Sequence, residues 1–324
     1  MTEQPLIEDV SKNKVAIVYK VSRFAFAMSQ GSKREQKNLA SPGDTLVQDL
    51  ERSHKNNLFC IEKVKSVVTN LGLKYRLICR SDLTVGDLHN QLVISVGGDG
   101  TLLDASHFCD NSLILGVNSD PEQSVGALCI ANAQNVGLIL TDILSGKLRP
   151  SALVRLAISA HGVIKNTLAL NDVLYCHQNP AATSRYYMAK NDEPFQSQRS
   201  SGVWISTPAG STGGIYSCGG QALPILAKKA IFNVREPYWT DGKKPLFFGS
   251  LEIGDQLHIR SNMSEAHLFI DGPHKGFNVP LGEQISIGIA DKPLWLYDGA
   301  LLDKGREKAI EQRKAYRRLL KDDD

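Results

Sequence analysis

Leu92-Val93-Ile94-Ser95-Val96 followed by Gly97-Gly98-Asp99-Gly100-Thr101 is the stretch on which the reading of this chain turns. The first five residues form an apolar run bounded by glycines, the pattern of a buried strand. From Thr101 to Phe108 the residues favour a helix, so the glycines lie at a strand-to-helix junction. Glycine there lets the backbone approach a ligand closely. The N–H groups that open a helix, with its dipole, make an anion site. An acid inside such a loop opposes a phosphate unless it does chemistry. Asp99 can take a proton from an attacking hydroxyl or share Mg²⁺ with phosphates. A plain β-turn is the competing interpretation; the flanking strand and helix favour phosphate binding. The loop is neither a Walker loop nor G-x-G-x-x-G.

Outward from the loop, the N-terminal half alternates strands with helices. Strands are expected at Val15–Tyr19, Tyr75–Cys79, Leu92–Val96 and Leu113–Val117, and helices over Asn57–Asn70, Thr101–Phe108 and Asn132–Leu148. The polar stretch Ser29–Asp44 is read as a solvated loop in preference to a phosphate-binding patch. The alternation predicts an α/β domain with a parallel, Rossmann-like sheet. After Pro150 the runs become short and alternating, at Leu153–Ile158, Leu168–Tyr175, Arg185–Ala189, Leu257–Ile259, His267–Ile270 and Ile285–Ile289, an all-β pattern. Leu251–Leu257 and Val279–Ile285 resemble each other and are taken as similar strand entries in one sheet system. The expected domains are therefore 1–149 (α/β, carrying the glycine loop) and 150–296 (β-rich). A basic amphipathic helix that could pack on either domain is expected over Gly305–Leu320 with a solvated basic face, and the C-terminal segment 297–324 is assigned as able to pack back on the α/β domain.

The 324 residues are 42% hydrophobic and 22% charged, with a formal charge of +3, which gives no reason to expect nucleic acid. The six cysteines form no C-x-x-C pair and no zinc spacing, so no metal-ligating set is assigned and reduced thiols are expected. No apolar run reaches a membrane span, and the polar, acid-bearing N-terminus lacks the pattern of a signal or transit peptide. A soluble cytoplasmic protein without membrane contact is expected.

The loop resembles the motif shared by NAD kinases, diacylglycerol and sphingosine kinases, and phosphofructokinases. Further segments narrow the resemblance to the NAD kinases: Gly116-Val117-Asn118-Ser119-Asp120, Leu170-Asn171-Asp172-Val173, Ser201-Gly202-Val203-Trp204-Ile205-Ser206-Thr207-Pro208-Ala209-Gly210-Ser211-Thr212 with Gly219-Gly220, and Ile270-Asp271-Gly272. The branch resembled is the one with the animal mitochondrial enzyme and its bacterial relatives. It is marked by Asn118-Ser119-Asp120-Pro121-Glu122, Ser184-Arg185, Ser200-Ser201-Gly202 and Val234-Arg235-Glu236-Pro237.

The resemblance implies transfer of the ATP γ-phosphate to the adenosine ribose 2′-hydroxyl of NAD or NADH, with Mg²⁺ or another divalent cation. Asp99 would be the base. Gly97, Gly98, Gly100 and Thr101 would lie on the phosphate side, and Asn118, in the turn after a strand, would belong to the cofactor-binding set. Asn171, Asp172, Arg199, Ser201, Thr212, Gly213 and Ser217 would hold the dinucleotide. A homodimer or homotetramer is implied too. Three departures from the family pattern stand out: Ser201 replaces an Asp, Ala209 a Thr, and Gly213-Gly214 an Ala-Tyr pair. Two other functions remain open: a lipid or sphingoid-base kinase of the diacylglycerol kinase type, and a weakly active dinucleotide-binding sensor.

Overall fold

A computed structural model describes residues 15–41, 43–160, 162–165, 167–238, 246–297, 301–303, 306–307, 310–311 and 314. Among the described residues the chain divides into two compact units, one within 15–151 with 295–302, the other within 152–294 with 303–314.

The first unit runs β1 (Val15–Tyr19), α1 (Arg23–Gln30), α2 (Lys33–Leu39), α3 (Thr45–Asn70), β2 (Tyr75–Cys79), β3 (Leu88–His89), β4 (Leu92–Gly97), α4 (Asp99–Ser106), β5 (Cys109–Asp110), β6 (Leu113–Asn118), β7 (Ala131–Asn132) and α5 (Val136–Leu144). Its sheet has the order β2-β1-β4-β6, extended by β21 (Leu294–Tyr297) and β8 (Pro150–Leu153), with β7 on β6. The pairs β1–β2, β1–β4, β4–β6 and β6–β21 are all parallel. Every residue of β4 and β6 is buried, as strands covered on both faces must be. Val64 and Val68 of α3 and Leu140 of α5 pack with Ile94 and Leu115 in one core.

The expected loop Ser29–Asp44 is instead largely helical. Ser32 Oγ accepts from Glu35 N (3.3 Å) while the Glu35 carboxylate accepts from Ser32 N (2.7 Å), a capping box that opens α2. Helix α3 also begins twelve residues before its expected start at Asn57, because Asp44 Oδ1 caps the N–H groups of Leu46 (2.8 Å) and Val47 (3.3 Å). Only Val47 and Asn57 are buried between Thr45 and Asn57, so the apolar period fades there.

The second unit contains β9 (Leu156–Ala160), β10 (Val163–Ile164), β11 (Asp172–His177), β12 (Ser184–Lys190), β13 (Gln196–Ser200), β14 (Val203–Ser206), the short α6 (Gly214–Ser217), β15 (Ala230–Val234), β16 (Phe248–Leu251), β17 (Gln256–Ser261), β18 (Ala266–Ile270), β19 (Gly276–Val279) and β20 (Gln284–Ile289). They form two six-stranded sheets, β10-β9-β20-β17-β12-β13 and β16-β15-β14-β11-β18-β19. Ile158, Leu257 and Ile285 of one sheet share a core with Val173, Phe232 and Leu268 of the other, the packing of a sandwich. The two look-alike segments enter β17 and β20, which pair antiparallel. Gly254 and Gly282 sit at their turns with φ of 95° and 83°.

The expected run Leu168–Tyr175 becomes a strand only at Asp172, because the N–H groups of Leu170, Asn171 and Asp172 all go to the Asp271 carboxylate. Most of the expected helix Gly305–Leu320 lies outside the described residues. Within it, Arg306 is not solvated as expected: it is 2% exposed in the second unit.

Candidate functional site

In the first unit the glycine loop lies at the carboxyl end of β4, beside the carboxyl end of β6, where ligands bind in open α/β sheets. Gly97 pairs with Asn118 in register, and Ser119 N donates to Gly97 O (2.8 Å). A Cβ on Gly97 would collide with the Thr101 side chain, and one on Gly98 would come 2.7 Å from Ser124 Oγ. Gly98 caps α4, which places Asp99, Gly100 and Thr101 in its first turn. Thr101 is buried against Gly97, and Gly100 faces open space with Arg80 its nearest neighbour at 3.8 Å.

Asp99 does not swing free. Its Oδ2 accepts from Ala127 N (3.0 Å) and its Oδ1 from Leu128 N (2.8 Å). Burial raises its pKa above the ordinary carboxylate value, and the two N–H bonds pull it back only in part. A carboxylate so placed is fixed in orientation, retains a lone pair on each oxygen and is more basic than a surface acid. Asn118 is fixed likewise, its Nδ2 donating to Ser124 O (2.9 Å) and its Oδ1 accepting from Asp120 N (3.1 Å). Asp120 is 4% exposed; Oδ1 accepts from Asn56 Nδ2 (3.0 Å), whereas Oδ2 has no hydrogen-bond partner. Lys20, after β1, has its pKa lowered by burial and by Arg80 and Arg23, with Asp120 opposing. This carboxyl edge of the sheet thus gathers cations around the loop.

In the second unit, Asp271 (φ 51°) is the organising residue. Its carboxylate accepts from Leu170 N (2.8 Å), Asn171 N (2.7 Å) and Asp172 N (3.0 Å), so it shapes the Asn-Asp turn. Thr207 N donates to Asn171 O (3.0 Å), and a Cβ on Gly210 would collide with that same carbonyl. The Ser-Thr-Pro-Ala-Gly segment therefore needs its glycine to lie against the Asn-Asp turn. Asn171 Nδ2 donates to Asp172 Oδ2 (3.3 Å). The Cβ position of Gly213 is 3.8 Å from Asp172 Oδ2 and 4.0 Å from Asn171 Nδ2. Burial, then the negative charge of Asp271, pushes the Asp172 carboxyl up to about 7.

The structure thus brings Asn171, Asp172 and Gly213 together, with Thr212 adjoining them in the turn Gly210–Thr212. Ser217 is exposed at the end of α6. Arg199 and Ser201 line a separate cavity. At the Gly213-Gly214 departure, the Cβ position of Gly214 is 2.9 Å from Trp204 Cζ2, so the indole occupies the space a larger residue would need.

Arg306 was missed by the sequence analysis. Its Nη2 donates to Pro208 O, to Ser211 Oγ (3.0 Å) and to Leu223 O (3.1 Å), clamping the Ser-Thr-Pro segment from behind. Its only sequence signal was a basic residue on an otherwise solvated-looking helix.

The chain thus joins an α/β unit with an acid-bearing glycine loop at its sheet edge to an antiparallel sandwich. No protein-family model matches the chain. It is 36% identical over 266 residues to a probable NADH kinase of Oryza sativa subsp. japonica, spanning 75% of this chain and 80% of that one. It is 34% identical over 264 residues to an NADH kinase of Arabidopsis thaliana, spanning 74% and 82%. In fold it is similar to the crystal structure of an NAD kinase from Archaeoglobus fulgidus in complex with ATP, with TM-score 0.65 at 19% identity over 92% of this chain and 98% of that one. It is also similar to yeast NADH kinase complexed with NADH, with TM-score 0.64 at 15% identity over 93% and 89%. The chain belongs to the NAD kinase family.

Proposed function

We propose that the chain transfers the γ-phosphate of ATP to the adenosine ribose 2′-hydroxyl of NAD or NADH, yielding NADP(H) and ADP. The placement of Asp99 carries this reading: a half-buried, raised-pKa carboxylate held by two backbone N–H bonds in the first turn of a helix that follows a glycine loop. Asp99 accepts the hydroxyl proton as the ribose oxygen attacks the γ-phosphorus and ADP departs. Gly97, Gly98, Gly100 and the N–H groups opening α4 receive phosphate oxygens, with Asn118 shaping the adjoining turn and Thr101 packing under Gly97. Asn171, Asp172, Thr212, Gly213 and Ser217 hold the dinucleotide on the β unit, together with Arg199 and Ser201. In this reading 1–149 is the donor domain and 150–296 the dinucleotide domain.

Mg²⁺ would be carried mainly by the donor phosphates, as is usual for this ion. Among the described residues no three ligating side chains cluster, and the unpaired Asp120 Oδ2 is the oxygen at this edge suited to hold it. When bound, the ion neutralises charge on the donor phosphates. The cysteines of the chain are all free thiols, which supports a reducing compartment, and we assign the cytoplasm. Among the described residues no helix is long and apolar enough to cross a membrane. A homodimer or homotetramer follows from the family resemblance and is checked by sedimentation equilibrium.

The activity is tested by supplying purified protein with Mg²⁺-ATP and either NAD, NADH or a sphingoid base. NADP(H) is the expected product. Its absence with both dinucleotides overturns the proposal, and phosphorylation of the sphingoid base would establish the lipid-kinase function instead.

A further inference from the structure

Arg306 is a cation buried at a point where only one of its nitrogens is used. Nη2 donates to Pro208 O, to Ser211 Oγ (3.0 Å) and to Leu223 O (3.1 Å). Nε and Nη1 are buried and, among the described residues, have no hydrogen-bond partner. Burying a guanidinium with two nitrogens unpaired is costly. What the arginine supplies is geometric: a single fixed point that ties together three acceptors well separated in the chain. Asp303 adds a second anchor close by. Its Oδ1 accepts from Ile225 N (3.0 Å), and its negative charge opposes the lowering of the Arg306 pKa by burial. The C-terminal segment thus holds the Leu223–Ile225 stretch at both ends.

The tied segment is the one that shapes the Asn-Asp turn. Ser211, 0% exposed, also donates to Pro208 O (2.8 Å) and accepts from Leu223 N (2.9 Å). Immediately before Pro208, Thr207 N donates to Asn171 O (3.0 Å) and Thr207 Oγ1 to Leu170 O, while Ser206 Oγ donates to Asn171 O (3.2 Å). Immediately before Ser211, Gly210 lies on Asn171 O with no room for a Cβ. Gly213 N then closes the turn on Gly210 O (2.8 Å), with Asp172 Oδ2 beside it. Hydrogen bonds between adjoining residues therefore lead from Arg306 through Pro208 and Ser211 to Asn171. Among the described residues Arg306 itself bonds to none of Asn171, Asp172 and Gly213.

We infer that Arg306 is a positioning residue for the dinucleotide site, pinning the Pro208–Ser211 turn so that Asn171, Asp172 and Gly213 keep one arrangement toward their ligand. The inference rests on the dinucleotide role proposed for those three residues and adds a buried residue that acts through others. Its effect is selective, because the bonds that fix Asp99 are made within the first unit by Ala127 and Leu128. Loss of the pin loosens dinucleotide binding and leaves ATP binding and the chemical step in place. Since Nη2 alone makes the bonds, a lysine ammonium, with three N–H donors on one nitrogen, can serve the same acceptors.

The test compares wild type with Arg306→Met and Arg306→Lys, well below the melting temperature of each. Affinity for NAD and NADH is measured by calorimetry, and kcat and the KM values for dinucleotide and Mg²⁺-ATP in steady state. In folded Arg306→Met the dinucleotide dissociation constant and KM should rise about tenfold or more, the scale of a lost charged hydrogen bond, while kcat and the KM for ATP stay within about twofold. Arg306→Lys should recover most of that loss. Dinucleotide affinity within about twofold of wild type in folded Arg306→Met, whatever its melting temperature, overturns the positioning role. So does an equal loss of ATP affinity, which marks general loosening, and so does a lysine variant no better than methionine. If Arg306→Met does not fold, Ser211→Ala, which removes one of the three acceptors, is read by the same affinities. Weakened dinucleotide affinity in a chain that forms no NADP(H) leaves the positioning role standing while the proposed activity falls. Wild type that binds neither NAD nor NADH overturns the dinucleotide site and the positioning role together.

Discussion

Asp99→Asn separates the base from the latch. In the wild type each carboxylate oxygen accepts one backbone N–H, from Ala127 at 3.0 Å and Leu128 at 2.8 Å. Asparagine keeps one acceptor and turns an NH₂ toward the other N–H, leaving two donors face to face. A buried unsatisfied donor costs about 1–3 kcal/mol, so the variant should be destabilised by that amount. Loss of the base should lower kcat at least about a hundredfold, or ~2.7 kcal/mol of barrier. NAD binding should change little, since Asn171, Asp172 and Gly213 are untouched. The assay is initial-rate NADP(H) formation across pH, with dinucleotide affinity measured separately. Wild-type kcat/KM should fall as pH drops through the raised Asp99 pKa, and the variant should lack that limb. Turnover within a few-fold of wild type would refute the base assignment and leave Asp99 as a latch for the 127–128 turn.

Three further outcomes are expected. Burial raises Asp271 to about 6 as well as Asp172 to about 7, yet the three N–H bonds to Asp271 favour its anion, so Asp172 is the carboxyl that takes the proton. The folded chain then holds this proton more tightly than the unfolded chain, and stability falls as pH rises from 3.8 to about 7. Asp172→Asn should remove about 1.4 kcal/mol per pH unit of that slope in urea unfolding, and an unchanged slope would contradict the assignment. Arg306→Met should cost about 1–3 kcal/mol, because Leu223 O loses its side-chain donor while Pro208 O and Ser211 Oγ keep other partners, and a melting temperature within a degree of wild type would show that the clamp contributes nothing. Gly214→Ala should destabilise by about 1–3 kcal/mol by pressing on Trp204, as measured by thermal unfolding.

Much of the site was legible in sequence because its signals are local. Gly97 to Thr101 sits within one strand-turn-helix, and the register that buries β4 follows from consecutive apolar residues. The capping box of Ser32 and Glu35 was equally local but was masked by the polar residues around it. What stayed hidden joins residues far apart in the chain. Asp271 takes the N–H groups of residues about a hundred positions earlier, and Arg306 reaches the Pro208–Ser211 turn.

By itself the sequence determined the strand-helix alternation, the change to β structure after Pro150 and the acid in the glycine loop, since each depends on near neighbours. Only the tertiary structure decided that Asp99 is held by Ala127 and Leu128, that Asp172 and Asp271 share a buried charge, and that Arg185 faces Arg199. Side-chain hydrogen bonds, desolvation and cross-strand register arise when distant segments pack, and no window of neighbouring residues encodes them alone.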